Sequence, residues 1–360
     1  MAIFESVFDI AYLSIVLSLG IRLLLENSKE AKLFGIMAIV LGLGDSFHLI
    51  PRVISHLSYG GFEANGFALS WGKFVTSITM TIFYVMFYYY YRSQSKDYSA
   101  SKRSIVYFLA LIRVVLTVLP QNNWGNIPEN YMFGIYRNIP FAILGALLIY
   151  WSFKEKDKPG LKNMSLFILL SFAFYIPVVI WADNYPVVGA LMMPKTMAYL
   201  MIVVLGYRYF VNKFEKKNIL GLSYTSLIMG LIGGVFYREF TKFYGYHAEN
   251  HLSKLHVHIL VLGFLSMFII YIISKEYNLE SILSLRKPIY VFMSGLTFTV
   301  VNMTLFGIYE VVSEGKNIVN KAAIEGLSGI GHITLSVGIV WTIVRIFKIE
   351  SVKNLKKIED

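Results

Sequence analysis

Cysteine is absent from all 360 residues, which excludes disulfides, thiolate metal sites and cysteine nucleophiles. Acidic residues are scarce as well: 22 Asp and Glu stand against 33 Lys and Arg, for a formal charge of +11. Long polar stretches are also missing. No segment between apolar runs exceeds about 20 residues, so there is no room for a soluble catalytic domain and any chemistry must sit among helices or at their ends. No GxGxxG, P-loop, GxSxG or HExxH pattern occurs in a usable context.

What is present is apolar, with 56% of the residues hydrophobic. Apolar runs of roughly 17 to 24 residues recur, each enough for an α-helix to cross about 30 Å of hydrocarbon. They predict an all-α, polytopic integral membrane protein with eleven transmembrane helices, at 8–25, 33–56, 69–91, 104–120, 136–153, 164–182, 188–210, 219–237, 253–274, 289–309 and 324–346. Most basic residues fall in alternate loops, around Arg22 to Lys32, Arg92 to Arg103, Lys154 to Lys162, Arg208 to Lys217 and Lys275 to Lys287, and in the tail from Arg345 to Lys357. The positive-inside rule puts these loops in the cytoplasm, the N-terminus outside and the C-terminus inside, in the cytoplasmic membrane. Arg22 follows the first apolar run, so no cleavable signal with a basic start is expected. The positive charge is spread over five loops and a tail rather than gathered in one stripe, which points to a lipid bilayer as partner and excludes nucleic acid.

The segment VNKFEKKN at 211–218 is rich in Lys, Glu and Asn and predicts a boundary. A seven-helix unit over 1–212 precedes a four-helix unit over 213–360 with a short basic cytoplasmic tail. No internal repeat relates the two, which weakens an inverted-repeat transporter reading.

Ionisable residues inside spans are costly in hydrocarbon and normally face a partner or a cavity. In GDSFHLIPRV, Asp45, His48 and Arg52 recur at i, i+3 and i+7, on one face of a helix. Lys73, Arg137, Asp183 and Lys195 fall near the outer ends or outer thirds of their spans. Together they predict a charged, outward-opening crevice in the seven-helix unit, suited to a small solute or ion, with Asp45, His48 and Lys195 converging. Neutralisation as a buried ion network is the other reading of the same residues. Pro194 beside Lys195 predicts a break that frees carbonyls at the site.

Five of the seven histidines lie in the four-helix unit: His247 and His251 in a loop, His256 and His258 at the start of one helix, and His332 in the last. Glu325, Ser328, Gly329, His332 and Ser336 form a polar stripe expected to face the bundle interior. His256 and His258 stand about 200° apart around their helix, so only one can meet His332; His258 is the deeper. Opposite them, Gly230, Gly233, Gly234 and Tyr237 predict a small-residue groove ending in a phenol, with Asn302 and Tyr309 completing the lining. Two deep histidines with glycine clearance suit axial ligation of haem b in a redox or sensory protein served by an electron-transfer partner. Copper or zinc held by His256, His258 and His332, and plain interhelical hydrogen bonding, are the alternatives.

Four resemblances accompany these readings. HVHILVLGF is similar to histidine-bearing helices of haem–copper oxidases and haem A synthases, which implies haem ligation. Asp45 with His48 resembles the metal-dependent lipid hydrolases of the alkaline ceramidase type, which implies a membrane hydrolase, although the HxxxH pair of their last span has no counterpart here. FYREFTKFYG, LHVHILVLGF and GIGHI, over about 219–348, resemble an uncharacterised bacterial four-helix membrane domain family. GDSFHLIPR, YRNIPFAILG and MMPKTMAY resemble uncharacterised seven-helix proteins of low-GC Gram-positive bacteria. Neither of the last two resemblances implies an activity.

Overall fold

The structure is a computed structural model that describes residues 2–126, 129–182, 184–211, 213–313 and 321–359. The side chains of 2–4, 186, 321–325, 327 and 353–359 are also outside that description. Asp183 and the Glu325 side chain, both expected at sites, therefore lie outside the described residues.

Every described element is helical. The long helices begin α1 (Ala2–Leu24), α2 (Lys29–Leu57), a single turn α3 (Gly61–Ala64), α4 (Gly66–Ser95), α5 (Ala100–Val118), α6 (Tyr131–Lys154), α7 (Met164–Trp181) and α8 (Met192–Phe210). They continue with α9 (Lys216–Phe243), α10 (Leu252–His258), a π-helical stretch Ile259–Leu265, α11 (Ser266–Ser274), α12 (Leu279–Ser313) and α13 (Lys321–Glu359). Helix overlaps each of the eleven expected segments, with ends that differ by a few residues. Among the described residues nine helices are long and apolar enough to cross a membrane, by length and composition. The exceptions are α4, whose run of tyrosines and Lys73 lowers its hydropathy, and α5, which carries Lys102, Arg103 and Arg113. Large apolar side chains stand exposed along these helices, as at Phe108, Leu111, Ile333 and Val340. Such faces are compatible with lipid contact and with a multi-pass helical bundle in a membrane.

Chain contacts divide the molecule into two units: Phe8–Ser55 with Gly60–Asn212, and Lys213–Asp360 with Met1–Val7 and His56–Tyr59. The first, the N-terminal unit, is centred on aromatic residues of α4. Phe83, Tyr84, Phe87, Tyr88 and Tyr90 are almost fully buried and pack with Phe34, Tyr199, Leu148, Ile168 and Phe172. Edge-on pairs such as Phe34 with Tyr90, at 4.8 Å between ring centroids, add to the burial. Gly72 lets α4 run directly against the backbone of α2, where a Cβ would strike the Phe47 carbonyl. That close approach sets Lys73 beside the His48 turn. Side-chain caps start the next helices: Ser99 accepts the Lys102 amide at the head of α5, and Asn130 accepts the Phe133 amide at the head of α6.

In the C-terminal unit α9 opens with a reciprocal cap between Glu215 and Asn218. Its core joins Phe214, Ile219, Met267, Ile289, Phe292 and Leu335. Helix α13 packs on α12 through glycines: Gly295 lies under the Leu335 backbone, and Gly338 under that of Phe292. The buried face of α13 is therefore Gly331, Leu335, Gly338 and Thr342. This corrects the expected inward stripe, because Gly329, His332 and Ser336 are exposed. Two of these polar groups need no partner helix. His332 Nδ1 lies 2.8 Å from the Ser328 carbonyl oxygen, and Ser336 Oγ donates to the His332 carbonyl at 2.9 Å. Satisfied within their own turn, they leave the interface to residues small enough for close contact.

Candidate functional site

A cavity of about 490 Å³ opens in the N-terminal unit among α2, α4, α5, α6, α7 and α8. Its wall includes His48, Lys73, Arg113, Arg137 and Lys195, with Glu129 as the carboxylate among them. That size suits a small organic molecule.

The more exposed end is organised from the α5–α6 connection. Buried Asn122 donates through Nδ2 to the carbonyls of Leu116, Thr117 and Leu119, which closes the C-terminal end of α5. Its Oδ1 accepts from Arg137 Nη1 at 2.6 Å. The Arg137 guanidinium also covers the Trp124 ring at 4.3 Å and stands 3.7 Å from Glu129. Glu129 binds Lys73 at 3.2 Å. One carboxylate thus joins cations from α4 and α6.

The buried end is built differently. Lys195, in the first turns of α8, rests over the rings of Tyr175 and Tyr199, 4.7 and 5.3 Å from their centroids. Tyr175 is fixed by donating to Asn138 Oδ1 at 2.9 Å. Among the described residues no carboxylate lies within 4 Å of the Lys195 ammonium; the acidic charge acting on it is Asp45. Asp45 does not line the cavity. It is buried and accepts from Tyr12 Oη at 2.7 Å. Arg52, on the same face of α2, turns to Asp9 at 3.7 Å. His48 does reach the cavity, and its Nδ1 is buried without a hydrogen-bond partner.

Of the expected crevice residues, His48, Lys73, Arg137 and Lys195 therefore share one cavity, while Asp45 and Arg52 stand behind it in the α1–α2 contact. Pro194 falls in the first turn of α8 and does not break that helix. Its missing N–H falls among the first four amides of α8, which have no partner within that helix.

Sequence reasoning passed over Arg113, which is 2% exposed on α5. Its guanidinium lies against the Phe141 ring at 3.2 Å, and its Nε and Nη1 have no hydrogen-bond partner. An arginine inside the apolar run ALIRVVLTV was the available signal. Glu129, Tyr175 and Tyr199 were also missed, and only tertiary contact marks them.

The histidines of the C-terminal unit have separate partners. His256 packs against Gly234 of α9 with its Nδ1 buried and unpartnered. His258 Nδ1 lies 2.9 Å from the Lys254 carbonyl oxygen, one turn back. His332 is exposed on α13 as described above. The groove expected at Gly230 and Gly234 is filled, since Leu260 lies over Gly230 and His256 over Gly234. Tyr237 is half-buried on the same helix, and Asn302 and Tyr309 are buried on α12. No group of three or more His, Asp or Glu able to hold a metal occurs among the described residues. His251 is tied to α12 instead: its amide donates to Glu310 at 2.8 Å, its Nδ1 lies 2.9 Å from the other carboxylate oxygen, and its ring meets Phe306 edge-on.

Residues 216–349 match a family described as Protein of unknown function (DUF2871). The match spans the helices from α9 into α13 and brings no activity with it. No curated protein and no solved structure matches the chain.

Proposed function

We propose that the chain is a cytoplasmic-membrane protein of eleven crossings, with its N-terminus outside, whose seven-helix unit admits a small solute from the outer side into the cavity at His48 and Lys195. The observation that carries this reading is the 490 Å³ cavity with Lys73, Arg113, Arg137 and Lys195 around one carboxylate among the described lining residues, Glu129. Charged groups placed this way in a membrane unit mark a solute path or binding site more often than a scaffold. The four-helix unit is read as a supporting module, because His258 and His332 bond within their own helices, His256 packs against Gly234 and His251 is held by Glu310.

The absence of cysteine makes a direct test simple. Gly134 lines the cavity, and a side chain there would meet open space. Gly134→Cys should react with a membrane-impermeant maleimide added to intact cells, and Ser351→Cys should react only after permeabilisation. The opposite pattern would reverse the orientation. Purified protein in liposomes then separates carriage from sensing, since a carrier accumulates labelled solute in the lumen and a receptor only binds it.

A further inference from the structure

We infer that the cavity of the N-terminal unit selects an organic anion, a carboxylate on an apolar body, with the Arg113 guanidinium as its anchor. The inference rests on the reading of that cavity as a solute site.

The argument is one of unmet charge. Arg137 and Lys73 share Glu129, Arg52 has Asp9, and Lys195 lies in the field of Asp45. Arg113 has none of these. It is 2% exposed, no carboxylate stands within 4 Å of it among the described residues, and two of its buried nitrogens have no acceptor. The Phe141 ring at 3.2 Å engages the face of the guanidinium, which leaves the in-plane N–H donors unused. A buried cation with open donors is costly unless something else completes it. What completes a planar fork of donors is a planar pair of acceptors, so a carboxylate fits better than a halide or a neutral carbonyl. Lys195 on the same wall supplies a second positive charge. Met80, Phe141, Val178, Val179 and Met192 add apolar surface to the lining, which suits an apolar body.

The test follows thermal unfolding of the purified full chain by tryptophan fluorescence, with benzoate, phenylacetate and octanoate and the primary amide of each. The acids should raise Tm and the amides should not. A response to octanoate alone would identify a lipid-derived acyl chain as the source of the carboxylate, and a response to the aromatic acids a free metabolite. Arg113→Gln should weaken acid binding on the order of 30-fold or more, as expected when one partner of a buried charged contact is removed. The same variant should raise the Tm of the ligand-free protein, because it removes an uncompensated buried charge, an effect that a purely structural arginine would not show. Should Arg113→Gln fail to fold, Arg113→Lys keeps the charge without the fork and should bind the acids about 10-fold more weakly. Amides that stabilise as well as the acids would overturn the anion assignment and leave the solute site standing. No stabilisation by any of the six would overturn both, and an undiminished acid response in both Arg113 variants would remove Arg113 as the anchor.

Discussion

The two units differ in where the cations and histidines inside their apolar helices turn. In the N-terminal unit, residues far apart in sequence turn toward one space: His48, Lys73, Arg113, Arg137 and Lys195 come from five helices to one cavity. In the C-terminal unit, His258, His332 and Ser336 bond to carbonyls four residues back on their own helices. A polar residue in a span thus has two exits, and which one it takes depends on length and charge. Short neutral groups can be satisfied within one turn. Long cations cannot, and they reach for rings, carboxylates or a cavity.

The comparison can be broken first at the glycines. Gly338→Leu forces a side chain into the Phe292 backbone, and overpacking of this severity should cost about 3 kcal/mol or more, seen as a large loss of Tm for the purified protein. Unchanged stability would mean that α13 does not depend on that contact. Next comes Asn122→Ala, which uncovers three carbonyls at the end of α5 and releases Arg137. A loss of about 2 kcal/mol is expected, together with weaker solute binding.

A smaller effect belongs to Asp97, in the turn between α4 and α5. Its carboxyl is held below the ordinary carboxylate range, first by the hydrogen bond from Lys102 and then by the Ser99 amide. The stabilisation is therefore complete above the ordinary carboxylate pKa and is lost as pH falls through the lowered value of the folded state. Asp97→Asn should cost no more than about 1 kcal/mol at neutral pH, as for a partly exposed ion pair. The gap from wild type should close on acidification; a gap independent of pH would show that the ion pair is not its source. Smallest of all, His332→Ala should change stability by less than about 0.5 kcal/mol. A larger loss would restore an interior role to His332 and narrow the difference between the units.

The helices were legible because hydrocarbon imposes a minimum length and an apolar composition, and both are written along the chain. His48, Lys73, Arg137 and Lys195 were legible as candidates for a related reason, that charge inside an apolar run stands out whatever the fold, and the four line one cavity. Arg113 carried the same signal and was passed over. Glu129 and Tyr175 carried no signal, since an acid in a connecting segment and a tyrosine in a span are ordinary until their neighbours are known.

By itself, the sequence determined that this chain forms apolar helices, has no thiol chemistry and carries cations within its spans. Those are properties of single segments, set by the period of the helix and by the cost of charge away from water. Packing set which face of α13 is buried, that Asp45 bonds Tyr12 behind the cavity, and that His258 and His332 are held by carbonyls of their own helices. Helix rotation depends on which small residues let two backbones approach, and a periodic pattern cannot tell a stripe of Ser, Gly and His facing inward from the same stripe satisfied on its own turn.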